Sequence, residues 1–419
     1  MNSAQNESFI YCTPFLDEVE RIKRATNIGM REPSYKGGRK LDDFNDLLMD
    51  GENIVVTHST FANANADTLE FLRQGNYTLI LDEVLDILNN YNDVVGDSLN
   101  KADIKLLINE GFIEVDDYGK VAWIKESYPT SKYSNVERLA RNGNLFYLDD
   151  TMLVWQFPAE IFSTFKEVYI LTYLFRGSYL KPYLEYHEIG YEMKGIDNSG
   201  EKYVLTEYKS DKEDRAKLKE LITIYTDPKL EGEYKSFKLS STWFKKRREK
   251  KRKQSNEDIQ KLKNSIYNYF RNKAKAKACQ IMWTCPKDSR KQLEGKGYKE
   301  IRRITAIELN GLSEKEIRRL KNKNSCYVTL NARATNDFGE RSVLAYINNF
   351  FAQPYMKRYF ENKNAKDGTN ISVDEDYLAL SCMIQWIWRS RIRNGKSIII
   401  YIPSDRMRNF FLKWLDGIM

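Results

Sequence analysis

Two adjacent carboxylates, Asp82 and Glu83, close an apolar run that reads Y-T-L-I-L-D-E from Tyr77. A carboxylate at the end of a buried strand can hold the water shell of Mg2+, and a neighbouring Glu can orient water for attack on a phosphoryl group. The same pair would also suit the first turn of a helix, where the dipole favours negative charge. A second set of chemistry-bearing residues lies near the C-terminus, Gln385, Arg389 and Arg393 in Q-W-I-W-R-S-R-I-R. Spacings of four place all three near one helical face, and guanidinium forks match phosphate oxygens better than lysine does. The plain alternative is an amphipathic helix with a Trp/Ile stripe inward and a solvated basic face. The basic run Lys245, Lys246, Arg247, Arg248, Lys250, Lys251, Arg252, Lys253 could grip phosphates or simply lie in solvent.

No G-x-x-x-x-G-K-[ST] phosphate loop occurs in the chain. Gly395-Lys396-Ser397 resembles the end of one, but Ser390 stands where the upstream Gly is required and the tripeptide precedes a strand-like run. Gly37-Gly38-Arg39-Lys40 has no hydroxyl for Mg2+ and reads as a basic turn.

These residues need elements to position them. With 419 residues, 42% of them hydrophobic, the chain can build two packed cores. From Phe9 to about Thr172, short β-rich runs alternate with helical patterns. Strands are expected at Phe9 to Thr13, Asn53 to Thr57, Tyr77 to Asp82 and Glu167 to Thr172, each apolar on consecutive positions as in a doubly covered parallel sheet. Helices are expected at Leu16 to Ala25 and Asp67 to Arg73, and a hairpin around Asp149-Asp150. A second α/β unit should run from Lys181, with strands at Gln280 to Thr284, Tyr327 to Thr329 and Ser397 to Tyr401. Helical patterns separate these at Val343 to Phe360, Glu375 to Ile392 and Ser404 to Leu415. Residues 209–278 form a charged, mostly helical insertion. The expected division is 1–180 and 181–419.

A net charge of +8 favours a polyanionic partner. Five cysteines without a C-x-x-C pair argue against a zinc ribbon and a disulfide framework, and point to a reducing cytoplasm. No apolar run approaches the ~20 residues of a membrane span, so no membrane partner is expected.

Order and company sharpen the reading. F-I-Y-C-T-P-F-L-D-E-V (Phe9 to Val19) and I-V-V-T-H-S-T-F (Ile54 to Phe61) resemble strand-end segments of superfamily 2 helicases that contact the nucleic-acid backbone. L-T-Y-L-F-R-G (Leu171 to Gly177) resembles the segment linking hydrolysis to domain movement. The Gln385 to Arg393 stretch resembles the motif Q-x-x-G-R-x-G-R, with Trp388 in place of the first Gly and Arg393 one residue late. W-T-C-P-K (Trp283 to Lys287), N-A-R-A-T-N-D-F (Asn331 to Phe338) and Y-I-P-S-D-R-M-R (Tyr401 to Arg408) look like the helicase-like ATPases of tailed bacteriophages.

The resemblance implies two RecA-like α/β domains with parallel sheets, ATP and Mg2+ as cofactors, and nucleic acid as partner, DNA in preference to RNA, alongside other phage replication proteins in a bacterial cytoplasm. It implies catalytic roles for Asp82 (also the metal carboxylate), Glu83, Arg389 and Arg393, a nucleotide contact by Gln385, and coupling by Thr172. Thr13, Pro14, Thr57, His58, Asn331, Arg333, Thr335 and Asn336 would touch nucleic acid, with Lys245, Lys246, Arg247 and Arg248 in support. In the same frame Phe9 to Thr13 reads as the strand that normally follows the phosphate-loop helix. The expectation is therefore a motor lacking its N-terminal phosphate-loop segment, inactive alone and with a thinly covered first sheet. The competing expectation is a non-catalytic module that binds nucleic acid or protein.

Overall fold

The structure, a computed structural model, describes residues 1, 7–197, 200, 203–209, 214–228, 237–249, 253–330 and 337–419. The chain forms two units, 1–190 with 352–374, and 191–351 with 375–419.

The first unit opens with β1 (Phe9–Thr13), α1 (Leu16–Ala25), α2 (Lys40–Met49), β2 (Ile54–Thr57), the single turn α3 (His58–Phe61), α4 (Ala66–Gly75) and β3 (Thr78–Asp82). An insertion follows: β4 (Leu88–Asn90), α5 (Tyr91–Val95), α6 (Lys101–Asn109), β5 (Ile113–Val115), β6 (Val121–Trp123), α7 (Ser134–Arg141), β7 (Leu145–Leu148) and β8 (Met152–Gln156). The sheet resumes with β9 (Glu167–Leu171), and α8 (Leu180–Tyr186) follows.

β1, β2, β3 and β9 pair in parallel in the order β2-β1-β3-β9. Every residue of β1 is buried because both faces are covered. Ile10 and Cys12 enter the large core, while Tyr11 packs with Val19 and Ile22 of α1 and with Met30 and Val55. That second cover stops short of β9. Tyr169, in register with Ile80 and Tyr11, is 38% exposed and Leu171 is 42% exposed. Among the described residues no strand pairs with the outer edge of β9. The expected hairpin is present as β7–β8, turning through Asp149 and Asp150 at φ 52° and 51°. Asp tolerates that left-handed region, and it is the twist a short hairpin needs.

The second unit comprises β10 (Lys194–Asp197), β11 (Val204–Glu207), α9 (Arg215–Leu221), β12 (Ile222–Tyr225), α10 (Ser241–Glu249), α11 (Lys253–Asn268), β13 (Ile281–Thr284), α12 (Arg290–Leu293), α13 (Ala306–Leu309), α14 (Glu314–Asn324) and β14 (Val343–Tyr346). After α15 (Pro354–Asp367), which belongs to the first unit, it closes with α16 (Glu375–Ile387), β15 (Ile398–Tyr401) and α17 (Asp405–Leu415). Its sheet is also parallel, in the order β12-β15-β14-β13.

Several features differ from the sequence expectation. Val343–Tyr346, read as the start of a helix, is a fully buried strand; a four-residue apolar run carries no periodicity to separate the two, and the helix starts only at Pro354. β12 lies inside the region read as mostly helical. Tyr327 makes one bridge to Trp283 where a strand was expected. Residues 181–190 and 352–374, assigned by sequence to the second unit, belong to the first, where Tyr183, Leu184 and Tyr186 and then Met356, Tyr359, Phe360 and Ile371 enter its core.

α15 is joined to that core by a polar network. The Tyr359 hydroxyl donates to Gln156 Oε1 at 2.6 Å, and Gln156 Nε2 lies 2.8 Å from His187 Nε2. With the amide donating, His187 must accept and therefore stay neutral. Burial pushes its pKa down to about 4. The folded pKa lies below the ordinary ~6.5, so this contribution is full above pH ~6.5 and is lost as pH falls from there toward 4. Unfolding free energy of the first unit should drop by about 2 kcal/mol between about pH 7.5 and about pH 5. Urea melts of His187→Gln, which cannot titrate, should lack that step.

Candidate functional site

Parallel strands deliver their C-terminal ends to one edge of a sheet, where ligands of open α/β folds bind. In the first unit that edge carries, in spatial order, Thr57 and His58 after β2, Thr13 and Pro14 after β1, Asp82 and Glu83 after β3, and Thr172 after β9. Four separate sequence segments thus converge.

Asp82 is the centre of this edge. The Thr13 hydroxyl donates to Asp82 Oδ2 at 3.4 Å, and Tyr11, two residues back on the same strand face, also hydrogen-bonds the carboxylate. His58 Nε2 lies 2.9 Å from the Asp82 carbonyl oxygen. Burial raises the Asp82 pKa above the ordinary range and Glu18 adds to the rise, while Tyr11, Thr13 and Arg21 oppose it. Sequence reasoning missed Tyr11, Glu18 and Arg21. The alternation of side chains along β1 pairs Tyr11 with Thr13 and could have found the first of them.

Glu83 is exposed and sits at φ 64°, with its N–H donating to the Leu171 carbonyl at 2.9 Å. A left-handed Glu costs about 1 kcal/mol relative to an ordinary turn. No helix follows it, so the helix-dipole explanation of the acidic pair does not hold. Thr57 caps α3 by accepting from the Thr60 N–H at 3.4 Å. Thr13 is fully buried with its hydroxyl turned to Asp82, which leaves half-exposed Pro14 as the outward part of the Thr-Pro pair.

In the second unit the expected single helical face is not formed. α16 ends at Ile387, because the Arg389 and Ser390 N–H groups turn back to carbonyls three residues behind, at 3.2 and 3.0 Å. Gln385 lies on α16, its amide donating to Ser381 Oγ at 3.4 Å. Arg389 follows the helix and donates to the carbonyls of Leu330 (2.9 Å) and Thr329 (3.4 Å). Arg393 is exposed on a separate 3-10 turn. Asn331, Arg333, Thr335 and Asn336 lie outside the described residues.

The described part of the basic run, Lys245 to Arg248, divides into two kinds of residue, while Lys250, Lys251 and Arg252 lie outside the described residues. Lys245 and Lys246 are exposed on α10. Arg247 pairs with Asp258 at 2.5 Å and stacks 3.6 Å from the Trp243 ring centroid, and Arg248 donates to Ser289 Oγ at 2.9 Å. Arg247 therefore joins α10 to α11. Arg247→Ala should destabilise the second unit by about 2 kcal/mol, through the orphaned Asp258 and the lost ring contact. Thermal melts giving less than a quarter of that would return Arg247 to the solvated face.

Among the described residues no cluster of three or more His, Cys, Asp and Glu side chains is arranged to hold a metal, and no helix is long and apolar enough to cross a membrane.

Residues 216–415 match the YonV C-terminal Rossmann-like domain and residues 96–155 the YonV middle domain, the latter covering most of the insertion between β3 and β9. Among solved structures, XPD_APO aligns at 14% identity and a TM-score of 0.46, over 98% of this chain and 90% of that one. S. tokodaii Xpd4 aligns at 11% identity and a TM-score of 0.44, over 100% and 90%. The SPbeta prophage-derived uncharacterized protein YonV of Bacillus subtilis (strain 168) is 35% identical over 434 residues, spanning 100% of this chain and 94% of that protein. With both domain types matched and a relative alike from end to end, the chain belongs to the YonV family.

Proposed function

We propose that this chain is a nucleic-acid-binding protein on the plan of a superfamily 2 helicase, phage-encoded and acting in the bacterial cytoplasm, with its working surface at the C-terminal strand edge of the first unit. The observation that carries the reading is the convergence on that edge of Pro14, Thr57, His58, Asp82, Glu83 and Thr172, from the four strands of one parallel sheet. A prophage-derived relative supports the phage origin.

The residues present suit Mg2+ better than unaided ATP. Mg2+ binds through one or two carboxylates with water and substrate phosphates completing its shell, and Asp82, half-buried and held by Thr13 and Tyr11, is such a carboxylate. ATP needs backbone N–H groups and a lysine around its phosphates, and the sequence has no phosphate-loop motif to supply them. Asp82 would therefore hold the cation, and Glu83 beside it would face solvent water. Arg389, bonded to the carbonyls of Thr329 and Leu330, would act as a positioning residue for that backbone, and Gln385 and Arg393 would add polar groups nearby in sequence. Missing phosphate-loop chemistry favours the second reading, a module that binds nucleic acid without hydrolysing nucleotide.

Titration of fluorescein-labelled single-stranded DNA tests the main reading. Affinity should be independent of sequence and fall with salt at a log–log slope of about −0.7 per phosphate contacted. Absence of binding at low salt would end it.

A further inference from the structure

Residues 302–323 include not one buried residue, yet they form two ordered helices, α13 and α14. Each is fixed locally by a capping box, Thr305 with Glu308 and Ser313 with Glu316. The base of the projection is pinned: Ile301 N–H donates to the Asn324 carbonyl at 2.8 Å, the Asn324 amide donates to the Arg302 carbonyl at 2.7 Å, and Glu300 bridges to Ser325. Such a hairpin is held in place without contributing to the core.

α14 has two faces. Ile317, Leu320 and Asn324 form one, partly or fully covered; Lys315, Arg318, Arg319 and Asn322, at i, i+3, i+4 and i+7, form the other and are exposed. The ion pairs of the hairpin are Arg302 with Glu308 and Lys323 with Asp337. Lys315, Arg318 and Arg319 have no acidic partner within ion-pair distance among the described residues. Like charges three and four apart weaken a helix by about 0.2 to 0.5 kcal/mol per pair. An exposed stripe of them is a local cost that a polyanion laid along it would offset. Over the whole hairpin, seven basic side chains stand against three acidic ones.

We propose that the Lys315, Arg318, Arg319 stripe of α14 is a contact surface for the phosphate backbone of a nucleic-acid strand. The proposal rests on the nucleic-acid reading above and gives it a second, separate surface. From Lys315 to Asn322 the helix rises about 10 Å, the axial length over which one strand of duplex presents about three phosphates. The contact is to charge and spacing, so it carries no base preference. It also differs from α10, where Arg247 and Arg248 are engaged within the protein.

The test compares salt dependence of binding to a labelled single-stranded DNA for the full chain and for Lys315→Gln/Arg318→Gln/Arg319→Gln. The log–log slope should fall in magnitude by about 2, near 0.7 for each phosphate contact removed, while helix content by circular dichroism is unchanged. Arg318→Lys/Arg319→Lys, which keeps the charge, should keep the slope. A folded triple variant with the wild-type slope would overturn the proposal and leave the nucleic-acid reading intact. A wild-type chain that binds no DNA would overturn both.

Discussion

Arg341→Met should destabilise the second unit by about 3–5 kcal/mol, because four backbone carbonyls lose their donor at once. Arg341 is 3% exposed, and its guanidinium donates to four backbone carbonyls, those of Ala278 and Ile281 at 3.1 Å, Lys323 at 3.0 Å and Ser325 at 3.3 Å. Burial pushes its pKa down, and no carboxylate is among these partners. Removing the fork leaves buried acceptors without donors, each costing about 1–3 kcal/mol before relaxation. Lysine has the charge but not the planar fork, so Arg341→Lys should recover only a minority of the loss. Urea melts followed by a second-unit signal would decide it. A loss below about 1 kcal/mol would show that water or backbone movement satisfies the carbonyls instead.

Phe360→Ala should cost about 3–5 kcal/mol, and the loss should fall on the first unit although Phe360 lies far beyond residue 190. Phe360 is 1% exposed and packs edge-on to Tyr359 and Tyr186, whose ring centroids lie 5.2 and 6.1 Å away. Hydrogen exchange should quicken in β7 and β8, which share that core, and change little in β13 and β14. The reverse distribution would place residues 352–374 with the second unit.

β1, β2 and β3 were legible because they are covered on both faces and so read as short unbroken apolar runs ended by a polar residue; β9, only partly covered, was legible from its β-rich run Val168 to Leu171 alone. Leu16–Ala25 was legible as well, since Val19 and Ile22 mark its buried side. Val343–Tyr346 was misassigned although its apolar run stops at Asn348-Asn349 as a strand's would, because it was joined to the helical pattern that follows. β12 was hidden by its neighbours, a four-residue strand at a sheet edge between charged segments. The spacing of Gln385, Arg389 and Arg393 suggested one helical face, but spacing cannot show that backbone N–H groups after Ile387 tighten to three-residue bonds and end the helix. Asp82 was legible from its place at a strand end; the left-handed backbone of Glu83, and the inward turn of Thr13 toward Asp82, depend on pairing between strands far apart in sequence.

The most direct test of the proposed working edge is hydrogen exchange of the full chain with and without saturating single-stranded DNA. Exchange should slow in the segments that follow Thr13, Thr57, Asp82 and Leu171, while the opposite strand ends near Ser8, Asn53, Tyr77 and Lys166 stay unchanged. A chain that binds DNA but slows exchange at those opposite ends, or nowhere in the first unit, would contradict the assignment of this edge.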